Sequence, residues 1–239
     1  MSGYPYNANP ATLGVRPAPA LVQRLLVGAF GWMFAGLLLS AGVAYLVATN
    51  EAILAGVAGL AIPLMIGQVV LALVIQMGIN KMPATLGLLL FFVYAATMGL
   101  VIGVIVWAYV QAPGGVGAVA SAFFSASAMF GGAALYGKTT GRDLSGVGGM
   151  AVMALMGIIV ASIVNIFVGS GTLNWIISLI GVGIFVVLTA WDVQKITSGR
   201  YAAWTTSAER ASVVAALALY LDFINLFLFL LRLFGGRRD

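Results

Sequence analysis

The sequence predicts an all-α polytopic membrane protein, and three observations carry that prediction. Of 239 residues, 62% are hydrophobic and 7% charged, against about a quarter charged in ordinary soluble domains; the mean hydropathy is +1.12. The apolar residues fall in runs of about twenty or more, long enough to cross a hydrocarbon layer as helix. A membrane β-barrel would instead alternate apolar and polar residues in short segments. Short turn-forming breaks separate the runs, so the chain divides into seven spans with no large soluble domain.

The elements follow in order. Residues 1–24 carry Pro5, Pro10, Pro17 and Pro19 among Gly, Asn and Ala, a density that argues against helix and predicts a flexible tail. The first run, Leu25–Thr49, is too long for a signal-peptide core and is a retained anchor. Further spans are predicted over Ala52–Ile79, Ala84–Val110, Val116–Tyr136, Gly146–Val168, Asn174–Thr197 and Ala211–Phe234, making residues 25–235 one helical domain ahead of a basic tail at 236–239. The breaks include Asn50-Glu51, Lys81-Met82-Pro83 and Gly137–Ser145. No internal repeat supports an inverted-repeat transporter. Gly99 and Gly103, spaced four apart, predict close helix packing. Gly131-Gly132 and Gly148-Gly149 could serve as hinges, and Asn165 is read as an interhelical hydrogen bonder.

Loop charge sets the orientation. Numbered alternately, the loops of one side receive Arg16, Arg24, Lys81, Lys138, Arg142, Lys195, Arg200 and Arg210, and the three loops of the other side receive no Lys or Arg. The N-terminus is therefore expected in the cytoplasm. The C-terminal tail with Arg237 and Arg238 is expected there too if the last segment does not cross fully.

The chain has no cysteine and no histidine. Disulfides, thiolate nucleophiles, iron–sulfur clusters and imidazole-bound zinc or haem are excluded. No serine-based constellation is present, so an enzyme is not expected. The last span has no lysine for a Schiff base, which argues against a retinal receptor. The excess of basic residues reads as topology, since nucleic-acid binding needs a soluble basic surface.

Only two acidic residues fall inside apolar spans, Asp192 and Asp222. An ionised aspartate near the bilayer centre costs about 2.5–3.5 kcal/mol on insertion scales, which is tolerated only facing the bundle interior or a wet cavity. Asp222 belongs to a stripe of Ala215, Ala218, Asp222, Asn225, Phe229 and Arg232, spaced three and four apart as one helix face. Asp192 lies about 7 Å from the end of its span and Asp222 about 16 Å from the start of the next. A side-by-side pair therefore needs the last helix to begin further out, leaving a short central apolar part. The pair either performs a function, sharing one proton and titrating in two steps, or merely fixes helix register.

The segments Leu188-Thr189-Ala190-Trp191-Asp192-Val193-Gln194-Lys195-Ile196 and Ala216-Leu217-Ala218-Leu219-Tyr220-Leu221-Asp222-Phe223-Ile224-Asn225-Leu226-Phe227 closely resemble the two signature segments of the Bax inhibitor-1 (transmembrane Bax inhibitor motif) family. Arg142-Asp143-Leu144-Ser145, Asn165-Ile166-Phe167 and the stretch Pro83–Leu100 are similar too, so the resemblance covers Arg24 to Gly235 and points to a bacterial inner-membrane member. It implies seven helices with the last short and central, wrapped by the other six. It also implies a calcium leak opened by acid and governed by two hydrogen-bonded aspartates, which map onto Asp192 and Asp222, with Ca²⁺ as permeating or transiently bound ion and no resident cofactor. Asn225 and Arg232 would support the pair. Some members latch an arginine from the second helix onto it. Here that stretch reads Met77-Gly78-Ile79-Asn80-Lys81, leaving Lys81 as at most a weak latch, because lysine lacks the bidentate fork. The alternative is a non-conducting regulator that binds a membrane-bound protease or another membrane protein.

Overall fold

The computed structural model describes residues 17–235. Most of the expected N-terminal tail, with Arg16, and the basic tail with Arg237 and Arg238 lie outside the described residues. Nine α-helices are formed among the described residues: α1 (Pro19–Thr49), α2 (Glu51–Gly59), α3 (Ala61–Gly78), α4 (Ala84–Val110), α5 (Gly115–Thr139), α6 (Ser145–Val168), α7 (Gly171–Thr197), α8 (Arg200–Trp204) and α9 (Ala208–Gly235). A 3-10 turn at Ile79–Lys81 extends α3. Seven of these segments are long and apolar enough to cross a membrane.

Two boundaries differ from expectation. Helix α1 starts at Pro19, not Leu25, with proline in its first turn. There the missing N–H would have no helical partner and the fixed φ is already helical, so the proline-rich tail ends six residues sooner. The second run does not form one helix. It breaks at Leu60 into α2 and α3, because Pro63 cannot donate to the Gly59 carbonyl and its ring crowds that group. The Asn50 side chain caps α2, accepting from the N–H groups of Ala52 and Ile53 at 3.1 Å each.

Helix α9 is the most deeply buried of the seven spans, and it packs against α1, α3, α4, α5, α7 and α8. It is not short: its 28 residues exceed the 27 of α7. Asp192 lies five residues before the end of α7 and Asp222 fourteen after the start of α9. To bring them together, α9 must project roughly 14 Å beyond α7. Residues 211–217 of that projecting part are nevertheless buried throughout. The early turns of α1 cover it, with Arg24 paired to Glu209 and Gly28 against Ser212. The 3-10 turn covers it from another side: Asn80 donates to the Trp204 carbonyl at 3.0 Å and accepts from the Thr206 N–H at 3.1 Å.

The small-residue spacing in α4 works as expected. A Cβ on Gly99 would stand 2.7 Å from the Ser40 carbonyl oxygen, and one on Gly103 2.6 Å from the Val47 Cβ, so α1 and α4 meet backbone to backbone. Ser40 Oγ lies 2.6 Å from the Tyr220 hydroxyl and 2.7 Å from the Ala95 carbonyl oxygen, tying α1, α4 and α9 at one buried point. The enclosure of α9 is incomplete on one side. Helix α6 packs against α7 and stands off α9 across a groove.

Candidate functional site

That groove, of about 660 Å³, opens between α3 and α6, and α7 and α9 form its floor. Asp192 of α7 and Asp222 of α9 both line it while being only 6% and 5% exposed. Most of the predicted stripe lies along the same floor: Ala218, Asp222, Asn225, Phe229 and Arg232 line the groove, whereas Ala215 is buried away from it. The Asn225 amide donates to the Leu221 carbonyl at 2.8 Å. Arg232 is exposed at the far end, its guanidinium 5.3 Å from the Phe229 ring centre, and lies about 15 Å along the helix from Asp222.

Lys81 does not reach the pair. It sits exposed on the 3-10 turn and does not line the groove. The cation beside the aspartates is Lys195, one turn beyond Asp192 on α7 and ion-paired with it. Its Nζ also lies 4.0 Å from the centre of the Trp191 ring and 5.2 Å from that of Tyr201, so two aromatic faces and a carboxylate hold one ammonium. Tyr201 comes from α8. Burial, first, and then the neighbouring Asp192 and Asp222 push its hydroxyl far above the usual phenol range, keeping it protonated beside Asp192. Asp222 is less well served: Thr189 lies beside it, but the Thr189 hydroxyl donates to the Phe185 carbonyl at 2.7 Å, and Asp222 Oδ2 has no hydrogen-bond partner. Two acids thus face one fixed base.

The i, i+3 spacing from Asp192 could have revealed Lys195, had it not been read as a loop charge. Nothing local signals Tyr201. It reaches the site because Gly199, at φ +73°, ends α7 in the left-handed conformation that glycine adopts without strain and turns the chain back into α8. Asn165 also departs from expectation: its Oδ1 accepts from the Ser170 N–H at 3.1 Å, closing the α6–α7 turn and not bridging helices.

The loop before α6 is fastened to the same end of α7. The Gln194 amide donates to the Arg142 carbonyl at 2.6 Å and accepts from the Leu144 N–H at 2.8 Å. Asp143 pairs with Arg200 at 3.0 Å. Hydrogen bonds from Ser145, more than the Arg200 guanidinium, hold the Asp143 carboxyl below its usual range.

No cluster of three or more acidic, histidine or cysteine side chains occurs among the described residues. The pair therefore offers two carboxylates where Ca²⁺ takes six to eight oxygens.

Comparison with known proteins bears on the whole chain. The family described as "Inhibitor of apoptosis-promoting Bax1" matches residues 22–239. The inner membrane protein YbhL of Escherichia coli is 42% identical over 230 residues, covering 94% of this chain and 96% of that protein. An uncharacterized protein of Deinococcus radiodurans is 42% identical over 219 residues, covering 91% and 92%, and one of Borreliella burgdorferi is 39% identical over 222.

Proposed function

The chain belongs to the Bax inhibitor-1 family as an integral inner-membrane protein, and from that premise we propose that it is a pH-sensitive calcium leak gated by the Asp192–Asp222 pair. The observation that carries the reading is the charge count at the aspartate end of the groove floor: two buried carboxylates from different helices against the one ammonium of Lys195. Two such carboxylates do not both ionise without cost, so the unbalanced charge is met by a shared proton or a passing cation. With a proton shared, α7 and α9 are held together at this point. Without it, repulsion between the helices is relieved by Ca²⁺, a hard cation that prefers carboxylate oxygen. The direction of gating, opening in acid, follows the family: a second proton on the pair breaks the shared-proton tie between α7 and α9.

Calcium flux into liposomes containing only this protein tests the proposal. Asp192→Asn and Asp222→Asn each remain folded, and flux loses its pH dependence between about pH 6 and 8. A double asparagine variant with normal pH-dependent flux would reduce the pair to a register device. Absence of flux from the wild-type protein favours the non-conducting regulator of another membrane protein.

A further inference from the structure

We infer that the groove between α3 and α6 is a binding site for an amphiphilic primary amine drawn from the bilayer, its ammonium on Asp222 and its hydrocarbon tail along α6. The site goes beyond the calcium reading because most of the groove is of no use to a proton or a metal ion. Its α6 wall is aliphatic, with Val152, Leu155, Ile158 and Ile159 facing the cavity. A bare cation would leave that wall unused, whereas a hydrocarbon chain covers it.

The polar end is built for an ammonium. Lys195 shows how this site holds one, against the Asp192 carboxylate and beside the Trp191 and Tyr201 rings. Asp222 is the second carboxylate of the cluster, 5% exposed and lining the cavity, and its Oδ2, itself buried, has no donor. A ligand ammonium supplies both the missing N–H donor and the missing positive charge, and charge-assisted bonds of this kind are the strong ones. The other fixed cation on the groove, Arg232, is about 15 Å away along α9 and does not compete for Asp222.

Shape selects the tail. Residues Val214 to Arg232 of α9 line the groove, a length of about 27 Å. A groove of that length and about 660 Å³ is of the size that takes a small amphiphile, and a single hydrocarbon chain lies along it. The groove lies among membrane-spanning helices, so an amine that concentrates in the bilayer meets it there.

The test uses the full chain in phosphatidylcholine nanodiscs with calcium chelated, so its outcome is independent of flux. Dodecylamine, charged at neutral pH, is titrated while tryptophan fluorescence is followed, because Trp191 and Trp204 line the groove. Saturable change and a raised Tm are expected. Asp222→Asn weakens the amine by about tenfold or more. Ala218→Phe, which fills the floor beside Asp222 and keeps both carboxylates, abolishes the saturable change and keeps a cooperative thermal transition. Equal saturable binding of dodecanol, or undiminished binding to both variants, would overturn the inference. Amine binding without calcium flux in liposomes sinks the proposed function and leaves this site standing; calcium gating without amine binding does the reverse.

Discussion

The indole of Trp191 lies flat on Gly148, so closely that a Cβ there would stand 2.2 Å from the ring. This contact sets the distance between α6 and α7 at the level of Asp192 and fixes the ring over which the Lys195 ammonium sits.

Gly148→Ala is therefore expected to destabilise the protein by about 1–3 kcal/mol, the usual cost of forcing one extra methyl into a packed contact, and to shift the midpoint of pH-dependent flux by moving Trp191. Gly149, with open space around its Cα, gives the control: Gly149→Ala is neutral or stabilising through helix propensity. Thermal unfolding in detergent micelles checks both. Equal effects of the two substitutions would mean that the indole does not depend on Gly148.

Lys195→Met removes the base from a cluster that keeps two acids, and is expected to cost about 3 kcal/mol, as breaking one side of a buried ion pair does. Adding Asp192→Asn should recover most of that loss, since the stranded charge goes with it. Lys81→Ala, on the exposed turn, leaves stability and pH response unchanged. A Lys195→Met protein as stable as wild type would show that Asp192 does not need its neighbour.

Asp143 defines what the pH response is not. Its carboxyl is held below the usual range, so its contribution is complete above the ordinary carboxylate value and is lost only as pH falls through the depressed one. Across about pH 6 to 8 its hold on Ser145 and Arg200 is constant. Asp143→Asn should loosen the α5–α6 loop, seen as faster hydrogen exchange at Leu144 and Ser145, without altering the pH midpoint of flux. A moved midpoint would place a sensor in the loop.

Much of this was legible in the chain, for reasons that particular residues make plain. Length and hydropathy marked the spans because the bilayer imposes a length, and α4 formed over Ala84–Val110 as predicted. Asp192 and Asp222 stood out because acids are rare in spans, and the stripe from Ala218 to Arg232 shared one face because helical spacing is local. The break at Leu60 was missed because hydropathy runs through it unbroken. Lys195 was missed because its i, i+3 spacing from Asp192 was read as a loop charge, and Tyr201 because it reaches the site only through the chain reversal at Gly199. Lys81 was overvalued for the converse reason: nearness in the resembling stretch did not bring it to the pair.

The depth of α9 in the bundle has a consequence for biosynthesis. The helix that completes the groove floor follows α1, α4, α5 and α7 in the chain and leaves the ribosome after them. Until it arrives their inward faces meet lipid, and Asp192 has only Lys195 for company. A chain translated only as far as the residues before Asp222 thus holds a neutral Asp192–Lys195 pair and no second acid, so the unbalanced charge enters the membrane only with the helix that buries it.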